Sequence, residues 1–166
     1  MGAETTSATF EKLVAQLDYP LFIVTTAAPD GERAGCLIGF ATQVSIHPPR
    51  FLACLSDKNR TCEVAHRAGV LVVHFVPEDR RELAELFGGE TGDDVDKFAR
   101  CDWRPGPQGA PILTSLPSWF AGRVVDRSDL GDHVGFLLEP FDVEVAEDAA
   151  GLSFQDARSI DPGHDP

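Results

Sequence analysis

Short apolar runs rich in β-branched residues, each stopped by turn-forming residues, constrain this chain more than any other feature. Residues 20–26 read Pro-Leu-Phe-Ile-Val-Thr-Thr, residues 51–55 read Phe-Leu-Ala-Cys-Leu, and residues 70–76 read Val-Leu-Val-Val-His-Phe-Val. Runs of this length and type predict strands. Ala28-Pro-Asp-Gly31 is a turn signal that closes a hairpin after the first run. The partner strand is expected over residues 34–46, with Gly35 and Gly39 inside it and His47-Pro48-Pro49 ending it. The run at 51–55 is continuously apolar and so is expected to be buried on both faces. Two further strands are predicted over 119–127 and 133–145, joined by Ser-Asp-Leu-Gly-Asp.

Helical spacing is weaker. Phe10, Leu13, Val14 and Leu17 predict a short helix over 10–17 behind a flexible lead. A second short helix is predicted over 59–67, and a third over 77–87, opened by Pro77 and an acidic first turn. A loop at 88–93 precedes a helical turn at 95–99, and residues 102–117, rich in Pro and Gly, read as irregular. Hairpin spacing dominates over β-α-β alternation, which predicts a mainly β chain with short helices: an antiparallel barrel with helical decoration. No GxGxxG follows a strand, which argues against a Rossmann dinucleotide fold.

The chain has 166 residues, enough for one domain with its own core. No apolar run approaches the ~20 residues of a membrane span. The start, MGAETTSATFEK, has neither a basic segment nor an apolar one of the export type, so a cytoplasmic location is expected. The net charge of −13 disfavours nucleic-acid and anionic-membrane partners. That charge is uneven. Residues 139–166 hold eight acids against the single base Arg158, whereas residues 50–67 hold Arg50, Lys58, Arg60 and Arg67 against Asp57 and Glu63. A small anion would be best tolerated in the second stretch.

Cys36, Cys54, Cys62 and Cys101 form no CxxC pair, and His47, His66, His74, His133 and His164 show no paired-ligand spacing. A metal centre is not expected, and Cys36 and Cys54 read as reduced core thiols.

Two local constellations carry chemistry. Ser56-Asp-Lys-Asn-Arg-Thr61 joins a strand to a helix start and supplies two hydroxyls, an amide, an ammonium and a guanidinium, a set suited to phosphate. The same residues also fit a plain cap by Asn59 or Ser56 with Lys58 and Arg60 in solvent. Gly131-Asp-His133 puts a carboxylate beside an imidazole able to donate, accept or protonate, or else makes only a tight turn. Gly88-Gly-Glu-Thr-Gly92 admits close backbone approach by a ligand, or is a surface loop. Trp103, Trp119 and Phe120 read as core or subunit-contact aromatics, and residues 147–166 as a solvated, partly mobile acidic end. No GxSxG elbow or acid pair supports a hydrolase.

Taken in order, the chain resembles the flavin reductase-like family of FMN-binding split barrels. The resemblance rests on Tyr19-Pro-Leu-Phe-Ile-Val-Thr-Thr26 and on Gly35-Cys-Leu-Ile-Gly-Phe-Ala-Thr-Gln-Val-Ser-Ile-His-Pro-Pro49, which contains S-x-x-P-P. The strand ending at Leu55, Asn59-Arg-Thr61, the strand at 72–76, Glu82-Leu-Ala-Glu-Leu-Phe-Gly88 and Gly131-Asp-His133 follow. It covers about residues 18–146, leaving a lead with a short helix at 1–17 and an acidic tail at 147–166.

The resemblance implies an antiparallel, Greek-key type split β-barrel, a homodimer with flavin held near the subunit boundary. It implies an NAD(P)H-dependent flavin reductase that transfers a hydride from nicotinamide to FMN, or FAD, and can supply a monooxygenase with reduced flavin. Leu37, Ile38, Gly39 and Phe40 would lie against the isoalloxazine, with Gln43 nearby. Gly39 would lack a side chain to let the ring approach. Ser56, Lys58, Asn59, Arg60 and Thr61 would hold the ribityl phosphate, and Phe87, Gly88, Gly89 and Glu90 would line the other side. His133 would position or polarise the nicotinamide. The chain departs from the family at Leu37, Phe40 and Gln43, where smaller or hydroxylated residues are common. A flavin-holding protein without turnover, and an oxidoreductase using bound flavin on a dedicated substrate, are the alternatives.

Overall fold

The computed structural model describes residues 2–147 and 150–163. Its strands are β1 (Phe22–Ala27), β2 (Arg33–Ile38), β3 (Ala41–Ser45), β4 (Arg50–Ser56), β5 (Val70–Phe75), β6 (Trp103–Pro105), β7 (Pro111–Leu113), β8 (Trp119–Asp129) and β9 (His133–Glu144). The helices are α1 (Gly2–Val14), α2 (Arg60–Ala65), α3 (Arg81–Gly89) and α4 (Phe154–Ala157). β6 and β7 pair with each other, and the other seven strands form one antiparallel sheet in the order β2-β1-β5-β8-β9-β4-β3.

The two edges of that sheet, β2 and β3, are consecutive in the chain and separated only by Gly39 and Phe40. Three peptide units span at most ~11 Å. The sheet must therefore curl until its edges almost meet, which makes a barrel with one unpaired seam. Phe40 supports the seam by accepting a 2.9 Å bond from the Cys54 amide of β4. Irregularities in the β8–β9 register, at Ala121/Gly122 and Val124/Asp126, bend the two longest strands around the curl.

Alternate residues point inward, so one face of each strand builds the barrel interior. Val24, Cys36, Leu55, Leu71, Val73, Phe136 and Leu138 meet there, and Cys62 and Ala65 of α2 close one end. Burying a side chain such as Phe136 completely is worth about 2 kcal/mol. The opposite face of β1 packs Ile23 under Leu83, Ala84 and Phe87 of α3, together with Leu113, Leu116 and Leu152.

The mainly β, antiparallel split barrel matches the expected class, but five details differ, the first being that residues 102–117, expected to be irregular, hold the paired strands β6 and β7. The strand expected over 34–46 breaks at Gly39-Phe40, because its halves serve opposite edges of the sheet. The run at 51–55 is not buried on both faces: Ala53 and Leu55 point into the barrel while Leu52 and Cys54 are only half-buried. The first helix spans Gly2–Val14 rather than 10–17, and Phe10, Leu13 and Leu17 are exposed. The acidic end is docked, not solvated, over residues 150–160: Leu152 and Ala157 are buried, and Leu152 and Phe154 bond to Val76, Leu21 and Tyr19. Asp148, His164 and Asp165 of that end lie outside the described residues. Among the described residues no helix is long and apolar enough to cross a membrane, and no group of three His, Cys, Asp or Glu could hold a metal ion.

Candidate functional site

A cleft of about 480 Å³ opens where β2, β4, β9, the end of α3 and the C-terminal segment converge. Its polar floor comes from two neighbouring strands. Ser56 ends β4 and His133 begins β9, and the two are cross-strand partners. The loops beyond them are tied by a 2.9 Å bond from the Asp57 amide to the Asp132 carbonyl. Gly131, at φ +134°, takes the turn into β9 through a backbone region that disfavours a side chain.

His133 Nδ1 lies 2.7 Å from Asp132 Oδ1. A carboxylate can only accept, so Nδ1 carries the proton and Nε2 is the nitrogen left to serve a ligand. The hydrogen bond from His133 holds the Asp132 carboxyl below its usual range, with the charge of Lys58 acting in the same direction. The Ser56 hydroxyl is buried at the cleft and is the one buried side-chain polar atom among the described residues without a hydrogen-bond partner. An unmet buried hydroxyl costs free energy that a ligand's polar group would recover. Asn59 caps α2, its side chain accepting a 2.9 Å bond from the Thr61 amide.

Aromatic rings form the next wall. Phe40 lies 5.0 Å from the His133 ring and 6.2 Å from Tyr19, which stacks on Phe154 at 4.7 Å. Gly39 is glycine here because a Cβ would sit 2.4 Å from the Tyr19 ring. That close approach comes from within the chain and is a reason for glycine here besides the one expected from isoalloxazine. Across the cleft, Phe87 and Gly88 end α3 against β2; a Cβ on Gly88 would sit 2.7 Å from the Leu37 side chain. The buried Lys97 clamps this corner, donating to the Gly35 and Phe87 carbonyls at 3.0 and 3.1 Å. Burial pulls its pKa down from the ordinary lysine value.

The structure thus gathers Leu37, Ile38, Gly39, Phe40, Ser56, Asn59, Phe87, Gly88, Glu90 and His133 around one space. The other candidates lie elsewhere. Gln43 is exposed on β3 and bonds to the Ser45 carbonyl. Arg60 is committed to Glu32 and Glu63 and, with the buried Thr61, borders a separate polar cavity. Lys58 is exposed beside Asp132, and Gly89 backs onto Asp161. The cleft also takes in Tyr19, Phe154, Ala157, Arg158, Ile160 and Pro162, which sequence reasoning missed. A signal was present: Ser153 and Asp156 make a capping box, and Leu152, Phe154, Ala157 and Ile160 are apolar residues among the acids.

Comparison with known proteins identifies the same region of chain. Residues 14–160 match the flavin reductase like domain family. A Rhizobium meliloti (strain 1021) protein named "Probable flavin reductase" is 31% identical over 112 residues, which are 68% of this chain and 35% of that protein. The 4-hydroxyphenylacetate 3-monooxygenase reductase component of Pseudomonas aeruginosa is 29% identical over 146 residues, covering 87% of this chain and 85% of that one. FMN reductase (NADH) RutF of Methylorubrum extorquens is 33% identical over 127 residues, 76% of this chain and 61% of its own. The chain therefore spans about a third of the first relative's length and about three fifths of the last one's.

Proposed function

Because this chain belongs to the flavin reductase-like family, we propose that it is an NAD(P)H:flavin oxidoreductase whose cleft holds FMN, with FAD as the other flavin it would accept. The observation that carries the reading is the unpartnered Ser56 hydroxyl, buried at the cleft and directly across the ladder from His133. An orphaned polar atom beside a free imidazole nitrogen fits a polar, ring-bearing ligand. When bound, the flavin supplies the redox chemistry by accepting a hydride from the nicotinamide.

The chain's own part is to bind and orient. Leu37 to Phe40 offer backbone and apolar surface to the ring. Ser56 and Asn59 hold the polar side chain of the flavin, and Phe87, Gly88 and Glu90 close the far side. Asp132 fixes the His133 tautomer, so that Nε2 meets the nicotinamide in one orientation. Lys58 contributes through Asp132 rather than by lining the cleft. Gln43, Arg60, Thr61 and Gly89 support the surrounding elements.

Reduced flavin would then pass to a monooxygenase, as the relationship to a monooxygenase reductase component suggests. A homodimer belongs to the same reading, supported by apolar surface exposed on Phe75, Phe141, Val143 and Val145. Four free cysteines fit a cytoplasmic location. One observation favours a second reading, a flavin carrier without turnover: the Phe40 ring, 5.0 Å from His133, takes up space where a nicotinamide would stack.

The experiment is direct. Purified protein is mixed with NADH or NADPH, with and without FMN or FAD, and absorbance at the nicotinamide band is followed. Oxidation that scales with added flavin is the expected result. Flavin retained through desalting without NAD(P)H oxidation would instead favour the carrier.

A further inference from the structure

The acidic C-terminal segment brings one cation to the cleft. Arg158 follows α4 and, among the described residues, is the one Lys or Arg in the cleft's lining. Its guanidinium donates to Gln155 Oε1 at 3.1 Å and makes no ion pair among the described residues. Arg33, Arg104 and Arg127 likewise make no ion pair among the described residues, but each lies over an aromatic ring and none lines the cleft. Arg50, Arg60, Arg67, Arg81 and Arg123 all lie against carboxylates. Of the two cations expected at the phosphate, Arg60 is one of these, held by Glu32 and Glu63 away from the cleft, and Lys58 is exposed beside Asp132 outside the lining.

The segment that carries Arg158 is anchored on several sides. Ser153 and Asp156 cap α4 reciprocally, Phe154 stacks on Tyr19, and the Gln155 amide group bonds to the Ala15 and Leu17 carbonyls. Arg81 reaches across from α3 to the Asp156 carbonyl at 2.6 Å and to Ser159 Oγ at 2.7 Å. Arg158 is thus presented from a held turn of chain, and its planar fork suits two oxygens of one phosphorus. Glu90, the carboxylate in the lining, lies 3.9 Å from Arg100 on the exposed side. An anion entering a protein of this net charge needs local neutralisation.

We infer that Arg158 is the cationic contact for a phosphate or pyrophosphate group of the ligand in this cleft, and that residues 150–162 are part of the binding wall. The inference rests on the reading of the cleft as a flavin and nicotinamide site. Two sources of the group are possible, the flavin phosphate and the dinucleotide pyrophosphate, and the experiment separates them.

Wild-type, Arg158→Gln and Arg158→Lys proteins are titrated with FMN and with riboflavin by flavin fluorescence, and KM for NADH is measured in parallel. Loss of one charged hydrogen-bonding contact should weaken the phosphate-bearing ligand about tenfold or more in R158Q, with R158K recovering most of it. Weaker FMN with unchanged riboflavin assigns the contact to the flavin phosphate. Unchanged FMN with a raised KM for NADH and steady kcat assigns it to the dinucleotide. Equal weakening of FMN and riboflavin, or no change in any constant, overturns the inference while the cleft reading stands. Wild-type protein that binds no flavin and oxidises no NAD(P)H overturns both.

Discussion

Ser56 and His133 stand opposite each other on β4 and β9, the last and first residues of their strands. Behind them in that ladder the alternate pairs Leu55–Val134, Ala53–Phe136 and Phe51–Leu138 place residues in or against the barrel core. The two polar groups of the cleft therefore inherit the rigidity of the best-packed part of the molecule. A site built this way needs no loop closure to bring hydroxyl and imidazole together.

The Ser56 hydroxyl gives a prediction with two opposite signs. In the free protein its unmet polar atom is a cost, so Ser56→Ala should leave stability unchanged or raise it by about 1 kcal/mol. The same change should weaken FMN binding by about 1–2 kcal/mol, or roughly five- to thirtyfold. Urea unfolding without ligand and a fluorescence titration with FMN check the pair. A variant that loses stability and keeps its flavin affinity would show that Ser56 serves the fold and not the ligand.

Asp132 acts through His133. Asparagine can donate as well as accept, so Asp132→Asn removes the requirement that Nδ1 carry the proton. NAD(P)H oxidation should fall roughly ten- to a hundredfold while FMN affinity changes little. Because His133 holds the Asp132 pKa down, the carboxylate stays ionised below the ordinary value of roughly 3.9. Its contribution is present above that value and is lost only as pH falls through the lower, folded one. Asp132 protonation therefore should not limit activity at pH 5 to 7, and a D132N profile parallel to wild type there, only lower, is the expected outcome.

Much of this was legible in the sequence, and what was not has physical causes. The apolar runs of β1, β4 and β5 and the hairpin turn at 28–31 follow from local chemistry, so they were found. The break at Gly39-Phe40 was not, because it depends on which sheet edges the two halves join, a property of the closed barrel. Ser56, Asn59 and His133 stood out by residue type. Arg60 stood out equally, yet Glu32, 28 residues earlier, takes its guanidinium away from the cleft. The C-terminal wall was hidden by its charge: the five acids of residues 147–166 read as solvent-exposed chain, while Leu152 and Ala157 supply the burial that docks it.

His74 makes stability depend on pH. It is fully buried, with the Leu113 amide donating to Nε2 at 3.0 Å, so Nδ1 carries the proton and donates to the Ile23 carbonyl. Burial lowers its pKa from 6.5 to about 4. The unfolded chain then binds the proton more readily than the folded one between those values. Stability from this residue is complete above pH 6.5 and falls with pH, by about 2 kcal/mol at pH 5 and about 3 at pH 4. Urea midpoints at pH 7.5 and 5 measure the loss. His74→Leu should be less stable at pH 7.5, since two buried backbone groups lose their partner, but should lose far less on acidification. An equal acid loss in both proteins would assign the effect to other groups.

Gly39 couples the barrel seam to the C-terminal wall. A methyl at this position would meet the Tyr19 ring at 2.4 Å, and Tyr19 both stacks on Phe154 and accepts the Phe154 amide bond at 2.8 Å. Gly39→Ala therefore has to displace the ring on which the segment rests. The expected cost is about 1–3 kcal/mol of stability, as for other overpacked contacts. The displacement should also loosen residues 150–160, so limited proteolysis ought to cut G39A there sooner than wild type, while the barrel strands stay protected. Gly131→Ala serves as the control, since it strains a turn without touching Tyr19. Faster cleavage in G39A alone ties the segment to Tyr19; equal cleavage in both variants would mean that the segment follows global stability instead.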